Sequence, residues 1–138
     1  IRINYFQQNA EKCGFEYDSR RILCGNYPMA KAHNVGYELC QKLIRSGVPF
    51  DSVFCLTDMM ALGALKALFE HGYSVPRDVS VIGCDDLDFT GFFLPALTTI
   101  QVDKKAEGYA YVDFILDDDV SENAVRKIGT KLVERSSV

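Results

Sequence analysis

Residues 50–86 read FDSVFCLTDMMALGALKALFEHGYSVPRDVSVIGCDD, and the order of patterns within this stretch decides the fold. A short apolar run at Val53–Leu56 leads into a helical pattern at Met59–His71, and a second apolar run follows at Val79–Gly83. Short apolar runs that flank a helix are typical of buried strands in a parallel sheet. Strand, helix and strand in this order predict parallel pairing through a right-handed crossover.

The same alternation continues on both sides of this stretch. Helical spacing of apolar residues predicts further helices at 2–13, 29–46 and 104–116. Strands are predicted near 20–24, 52–56, 79–84 and 97–102, with a final strand within 127–135. Left-handed helix caps are expected at Gly14, Gly47 and Gly72. The chain is therefore predicted to be an α/β protein with an open parallel sheet and helices on both faces.

Polar side chains stand directly after three of the predicted strands. Asp58 follows the first apolar run, Asp85 and Asp86 follow the second, and Asn26 and Tyr27 follow an earlier one. In open α/β sheets, ligands bind outside the carboxyl ends of the strands. Hydrogen-bonding and stacking groups at that edge predict a pocket for a small molecule.

The composition is that of one globular domain, residues 1–138, with a formal net charge of -4. Lysine and arginine form no dense cluster, so this part of the chain is not expected to bind DNA. No apolar run approaches the roughly 20 residues of a membrane span. No P-loop, nucleophile elbow or zinc-protease motif is present, so we expect no enzyme, no catalytic residue and no cofactor.

The cysteines and one run of acidic residues are the side chains that could form a metal or redox site. The five cysteines are odd in number and form no C-x-x-C pair. This usage predicts small buried side chains in a reducing cytoplasm. Three adjacent carboxylates at Asp117–Asp119 do not converge on one ion, so they predict a solvated turn. No metal site is expected.

The helix at Met59–His71 is apolar around nearly its whole circumference, and only Lys66 and Glu70 clearly require water. Such a helix must bury more than one face. One face would pack on the sheet, and the other is predicted to meet a second copy of the chain together with the strand at 97–102. The residues predicted for this dimer interface are Met60, Ala61, Ala64, Leu65, Leu68, Thr98 and Ile100.

Four blocks of the chain, Phe50–Leu65, Val75–Asp86, Pro95–Gln101 and Thr130–Ser137, resemble the lactose-repressor/galactose-repressor family of bacterial transcription regulators. The blocks occur in that family's order and at its spacing. Departures are Tyr5 in place of a glycine, Thr57 in place of an asparagine, Cys84 in place of an aromatic residue and Gly129 in place of a proline.

The resemblance implies a type I periplasmic-binding-protein-like core of two lobes that holds an effector between them. This chain looks like most of the C-terminal lobe, and the N-terminal lobe and the helix-turn-helix headpiece are absent from it. The resemblance implies effector contacts at Arg2, Asn4, Tyr27, Asp58 and Asp85.

Each of these residues also has a purely structural interpretation. Asp58 suits the first turn of a helix, where the dipole favours a carboxylate. Arg2 suits a solvated charge near a terminus, Tyr27 suits an aromatic cap over the sheet edge, and Asp85 suits a hydrogen-bonding residue at the edge of the lobe. A helix that opens at Arg2 without a capping residue predicts that the chain is a piece of a longer protein.

These observations predict the ligand-sensing domain of a cytoplasmic, dimeric repressor. A metabolite, most simply a sugar, would close the lobes and change the affinity of the headpiece for operator DNA. The alternative is a periplasmic sugar-binding or solute-binding protein of a transport system, which shares the two-lobe core. The unpaired cysteines and the apolar helix argue against that alternative. An enzyme on the same scaffold lacks any catalytic constellation.

Overall fold

Three parallel strands and one antiparallel strand form a single mixed sheet. The computed structural model describes residues 2–15 (backbone only for residue 2), 18–25, 31–117 and 125–138. The strands, hydrogen-bonded in sequence order, are β1 (Ser52–Phe54), β2 (Ser80–Cys84), β3 (Thr98–Val102) and β4 (Thr130–Val133). The predicted wholly parallel sheet is therefore corrected at β4. Val102 lies opposite Thr130, so the chain re-enters the sheet from the carboxyl end of β3.

Within the described ranges, four α-helices accompany the sheet, and each lies where the apolar spacing predicts it. They are α1 (Arg2–Lys12), α2 (Ala32–Ser46), α3 (Asp58–Glu70) and α4 (Lys104–Leu116). α2 ends at Gly47, whose φ of 69° is left-handed and whose amide donates to the carbonyl oxygen of Ile44. This cap confirms the predicted role of a glycine at that position.

The predicted strand at 20–24 is not formed in the described part of the chain. Residues Ser19–Arg21 form a short 3-10 helix instead. The carboxylate of Asp18 accepts from the amide of Arg20 and binds its guanidinium. This local side-chain bonding offers the backbone an alternative to a strand ladder, and the apolar pattern alone did not reveal it.

The core lies where α3 packs on α2 from one side and on β2 from another. Two glycines allow the helices to approach closely. A Cβ atom at Gly36 would lie 2.0 Å from the carbonyl oxygen of Met60, and one at Gly63 would lie 1.9 Å from that of His33. The buried apolar residues of this core are Ala32, Leu39, Cys40, Cys55, Met60, Ala61, Ala64, Leu65, Ala67, Leu68, Val79, Val81 and Leu97.

This packing explains why α3 is apolar on nearly every side. The side chains predicted to form a dimer interface are largely used inside the single chain. Met60, Ala61, Ala64, Leu65, Leu68 and Thr98 are buried, and Ile100 is half-buried. The six buried side chains are unavailable to a second molecule, because α2 and the sheet already cover α3 from two directions.

α1 and α4 differ from this helix pair. Phe6 of α1 stacks on Phe54 of β1, with ring centroids 6.5 Å apart. Phe54 alternates with Val53, which packs against the core, so α1 lies toward the opposite face of the sheet. None of the side chains of α4 is buried by the described residues. Among the described residues, no helix is both long and apolar enough to cross a membrane.

Candidate functional site

The backbone after β2 forms an unusual turn at the carboxyl edge of the sheet. Asp85 has a φ of 122° and Asp86 a φ of 48°, both in the left-handed region that non-glycine residues rarely adopt. The amide of Asp85 donates to the carbonyl oxygen of Ile100 in β3 at 2.9 Å. We call residues Asp85–Leu87 the β2 corner. Strained backbone that is held by its surroundings is characteristic of ligand sites.

The side chain of Asp86 ties the corner to two distant segments. Arg135 Nη2 donates to Asp86 Oδ1 at 2.7 Å, and Gln101 Nε2 donates to Asp86 Oδ2 at 2.6 Å. The hydrogen bond from Arg135 is the main reason that the pKa of Asp86 lies below its usual value, although partial burial opposes it. The carboxylate is therefore held charged at the end of β2.

Arg135 was not among the predicted site residues. Its Nη1 atom donates to the carbonyl oxygen of Leu97 at 2.7 Å and to Thr90 Oγ1 at 3.2 Å. An arginine that follows a strand in the C-terminal block was the available signal, but its partners lie 38 and 45 residues away. No local pattern identifies them.

Asp58 lies beneath the same corner and is completely buried. Thr99 donates its hydroxyl hydrogen to Asp58 Oδ1 at 2.6 Å, and the amide of Leu87 donates to Asp58 Oδ2 at 2.9 Å. A Cβ atom at Gly83 would lie 2.3 Å from Asp58 Oδ1, so a glycine is needed for the carboxylate to reach β2.

Thr57 caps α3 by accepting from the amide of Met60 at 3.2 Å.

A polar cleft of about 610 Å³ opens beside the β2 corner. It lies at the carboxyl ends of β2 and β3, which is the edge where the sequence predicts a pocket. Its lining residues are Asp86, Asp88, Gln101, Val102, Asp103, Lys104, Gly129, Thr130 and Lys131. Most of these side chains are charged or can donate and accept hydrogen bonds, so the cleft suits a polar ligand.

The structure brings only some of the predicted effector residues together. Asp58 is bonded to the β2 corner, which begins at Asp85, through Leu87 and Thr99. Asp86 lines the cleft, and Asp85 does not. Asn4 is exposed on α1 and does not line the cleft. Tyr27 and the side chain of Arg2 lie outside the described residues, as does Asn26.

The described part of the chain contains no metal site, and two of its buried thiols are unreactive. No group of three or more histidine, cysteine or carboxylate side chains there is placed to hold an ion. Burial raises the pKa of the Cys40 thiol to about 11 and that of the Cys55 thiol to about 12. These thiols stay protonated near neutral pH and are poor nucleophiles.

Comparison with known proteins gives a consistent result. The family model of the periplasmic binding protein-like domain matches residues 1–138. The chain is 33% identical over 138 residues to the HTH-type transcriptional regulator MalR of Clostridium butyricum, covering 99% of this chain and 40% of that protein. It is 42% identical over 106 residues to the repressor PurR of Salmonella typhi, covering 75% of this chain and 31% of that protein.

Solved structures of transcription regulators are similar to this chain as well. A LacI-type transcription regulator from Bifidobacterium animalis subsp. lactis matches with a TM-score of 0.85 and 30% identity, over 99% of this chain and 49% of that one. The complex of the transcriptional regulator CelR with cellobiose matches with a TM-score of 0.84 and 26% identity, over 99% of this chain and 42% of that one. The chain therefore spans less than half the length of these relatives.

Proposed function

Since this chain belongs to the family of periplasmic-binding-protein-like domains, in the form found in LacI-family transcriptional regulators, we propose that it senses a small hydroxyl-bearing metabolite. The observation that carries the proposal is the strained β2 corner, which opens onto a polar cleft at the carboxyl edge of the sheet. In open α/β proteins, that edge is where ligands bind.

A sugar is the ligand class that best fits the cleft. Asp86, Asp88 and Asp103 supply carboxylate acceptors, and Gln101 supplies both an acceptor and a donor. Sugar hydroxyls donate to carboxylates and accept from amides, so each hydroxyl can be satisfied in such a cleft. The complex of the related CelR with cellobiose supports the same class.

The proposed mechanism is closure of two lobes around the effector in the cytoplasm. Asp85, Arg2, Asn4 and Tyr27 would contact the effector from this lobe, and a second lobe would complete the site. Effector that binds the closed form more tightly shifts the population toward it. In a longer chain with a DNA-binding headpiece, this shift would change the affinity for operator DNA.

Dimerisation is part of the proposal, but through side chains that remain accessible. A shallow groove of about 210 Å³ is lined by the accessible side chains of Leu62 and Lys66 of α3 and of Phe93 and Leu94, next to the buried Leu65. Leu94 is 98% exposed, which is costly for an apolar side chain unless another surface covers it. Symmetric dimers are the commonest oligomers, so a second copy of the chain is the proposed partner.

A periplasmic transport receptor of the same fold is the competing function. The five free cysteines favour a reducing compartment over the periplasm, where disulfides form. Residues upstream of Ile1 in the reading frame discriminate directly. A helix-turn-helix of about 60 residues ahead of a second lobe supports the regulator. A cleavable signal peptide there supports the transport receptor.

Calorimetric titration of the full-length protein with cellobiose, maltose, glucose and ribose tests the sensing function. A purine base serves as the comparison outside the sugar class. Saturable binding of a sugar is expected, together with a loss of at least tenfold in affinity in Asp85→Asn. The matched control is Asp113→Asn, which changes the same charge on exposed α4. Binding of the purine alone would reject the sugar assignment.

A further inference from the structure

Asp58 has no exposed surface from which to reach a ligand, and both of its carboxylate oxygens are occupied. Oδ1 accepts the hydroxyl of Thr99, and Oδ2 accepts the amide of Leu87. A carboxylate placed in the interior must be satisfied by donors, and the helix N-terminus at which Asp58 lies adds a favourable field.

Both bonds lead to the β2 corner. Leu87 is the third residue of the corner and donates to Asp58 directly. Thr99 is linked to the second residue, because the amide of Asp86 donates to Thr99 Oγ1 at 3.4 Å. Asp58 thus holds the two amides that follow Asp85, one directly and one through a hydroxyl group.

The backbone at this place needs such support. Left-handed conformations at two consecutive non-glycine residues are unfavourable in a free chain and persist only where surrounding contacts impose them. The position of the Asp86 carboxylate at the cleft depends on these angles, because a rotation at Asp85 or Asp86 would redirect that side chain.

We propose that Asp58 is a positioning residue for the effector site, which acts through Thr99 and Leu87 to hold the β2 corner in place, and with it the Asp86 carboxylate that lines the cleft. The inference rests on the proposed function, because it assumes that the corner contacts the effector. It assigns Asp58 a role different from the direct ligand contact that its sequence position implies.

The experiment uses the full-length protein and measures amide hydrogen exchange at Asp86 and Leu87. Thr99→Val removes the hydroxyl group while keeping the volume, and exchange at both amides is expected to rise by about tenfold. Thr99→Ser restores the hydroxyl and should restore slow exchange. Asp58→Asn turns an acceptor into a donor facing one of its partners and should also accelerate exchange.

Ser137→Ala is the matched control. Ser137 is fully buried, accepts from the amide of Thr98 at 2.8 Å and donates to the carbonyl oxygen of Val81 at 2.6 Å. The Ser137→Ala variant therefore loses a comparable buried hydroxyl group, and this group makes no hydrogen bond to the β2 corner. A general loss of stability would accelerate exchange in Ser137→Ala as well, whereas a positioning role affects only the Thr99 and Asp58 variants.

Titration of the same variants with cellobiose, and with the other sugars if cellobiose does not bind, completes the test. Affinity should fall about tenfold in Thr99→Val and return in Thr99→Ser. Unchanged exchange at the corner in both Thr99→Val and Asp58→Asn overturns the proposal. So does loss of binding in Asp58→Asn with unchanged exchange, since Asp58 would then contact the ligand itself. If no sugar binds the wild type, the sugar assignment fails while exchange still decides the positioning role.

Discussion

Arg135 and Asp86 join the end of the chain to the corner after β2, with 2.7 Å between Nη2 of the arginine and Oδ1 of the carboxylate. The pair lies 49 residues apart in sequence and is mostly shielded from water, at 23% and 13% side-chain exposure. It connects the C-terminal segment to the edge of the sheet at which the ligand is proposed to bind.

Loss of this pair should weaken the fold. Arg135→Ala removes the charged donor from Asp86 Oδ1 and from the carbonyl oxygen of Leu97, while Gln101 still donates to Asp86 Oδ2. We therefore expect a decrease of about 1–3 kcal/mol in the free energy of unfolding. Urea unfolding measures it. Arg126→Ala is the control, because Arg126 and Asp117 form an exposed pair at 3.9 Å and should contribute at most about 1 kcal/mol. Equal losses in both variants would contradict this prediction.

The Arg135–Asp86 pair should also stabilise the fold against unfolding by acid. The folded-state pKa of Asp86 lies below its ordinary value of 3.8, so the pair stabilises the fold above that pH. The contribution is lost as the pH falls through the lowered pKa. Arg135→Ala removes the main cause of the shift, so the midpoint of acid unfolding should move to higher pH. Circular dichroism during an acid titration measures the midpoint, and an unchanged midpoint would refute the prediction.

The two glycines between α2 and α3 should be sensitive to a single added methyl group. Gly36→Ala and Gly63→Ala each force the helix backbones apart, since the new Cβ would overlap a carbonyl oxygen. We expect each to lower the free energy of unfolding by about 1–3 kcal/mol or more. Gly108→Ala in exposed α4 is the control, because nothing lies within 4 Å of its Cβ position. Its helix propensity should raise stability by about 0.5–1 kcal/mol, and a loss there would be unexpected.

The buried thiols should make the protein sensitive to alkali. The pKa values of Cys40 and Cys55 are raised from 9.0 to about 11 and about 12, so the folded state keeps protons that the unfolded state releases. Stability is therefore fully present below about pH 9 and falls above it, by about 1.4 kcal/mol per pH unit for each thiol. Unfolding between pH 8 and 10.5 measures this slope. Cys55→Ala should reduce it, whereas Cys13→Ser, at an exposed position, should not.

The helix cap at Thr57 should tolerate asparagine, which is the usual residue at this position in the lactose-repressor/galactose-repressor family. Thr57→Asn keeps a side-chain oxygen for the amide of Met60, so stability should change by only a few tenths of a kcal/mol. Thr57→Ala removes the acceptor and should lower stability by about 0.5–2 kcal/mol. Thermal unfolding of the two variants provides the comparison. A large loss in Thr57→Asn would show that the threonine methyl group matters more than the cap.

Much of the fold could be predicted because it depends on local sequence. The four helices, the positions of β1 to β3 and the left-handed residue at Gly47 each follow from apolar spacing or from a nearby capping residue. The predicted strand at 20–24 failed for a local reason too, since Asp18 bonds to the backbone two residues later. The site was predicted only in part: Asp58 and Asp85 were singled out, but not the contacts that connect Asp58 to the corner after β2.

The sequence by itself determined the order of elements, the strand ends that carry polar groups and the resemblance to regulators, because these features lie within a few residues of one another. Only the tertiary structure decided the antiparallel entry of β4, the close approach of α2 and α3 at Gly36 and Gly63, and the partners of Asp58 and Arg135. Each of these joins residues far apart in the chain, and such pairings depend on packing between elements rather than on local periodicity. Asp58 shows the difference most clearly: its place at a helix start was readable, but its burial beneath the β2 corner was not.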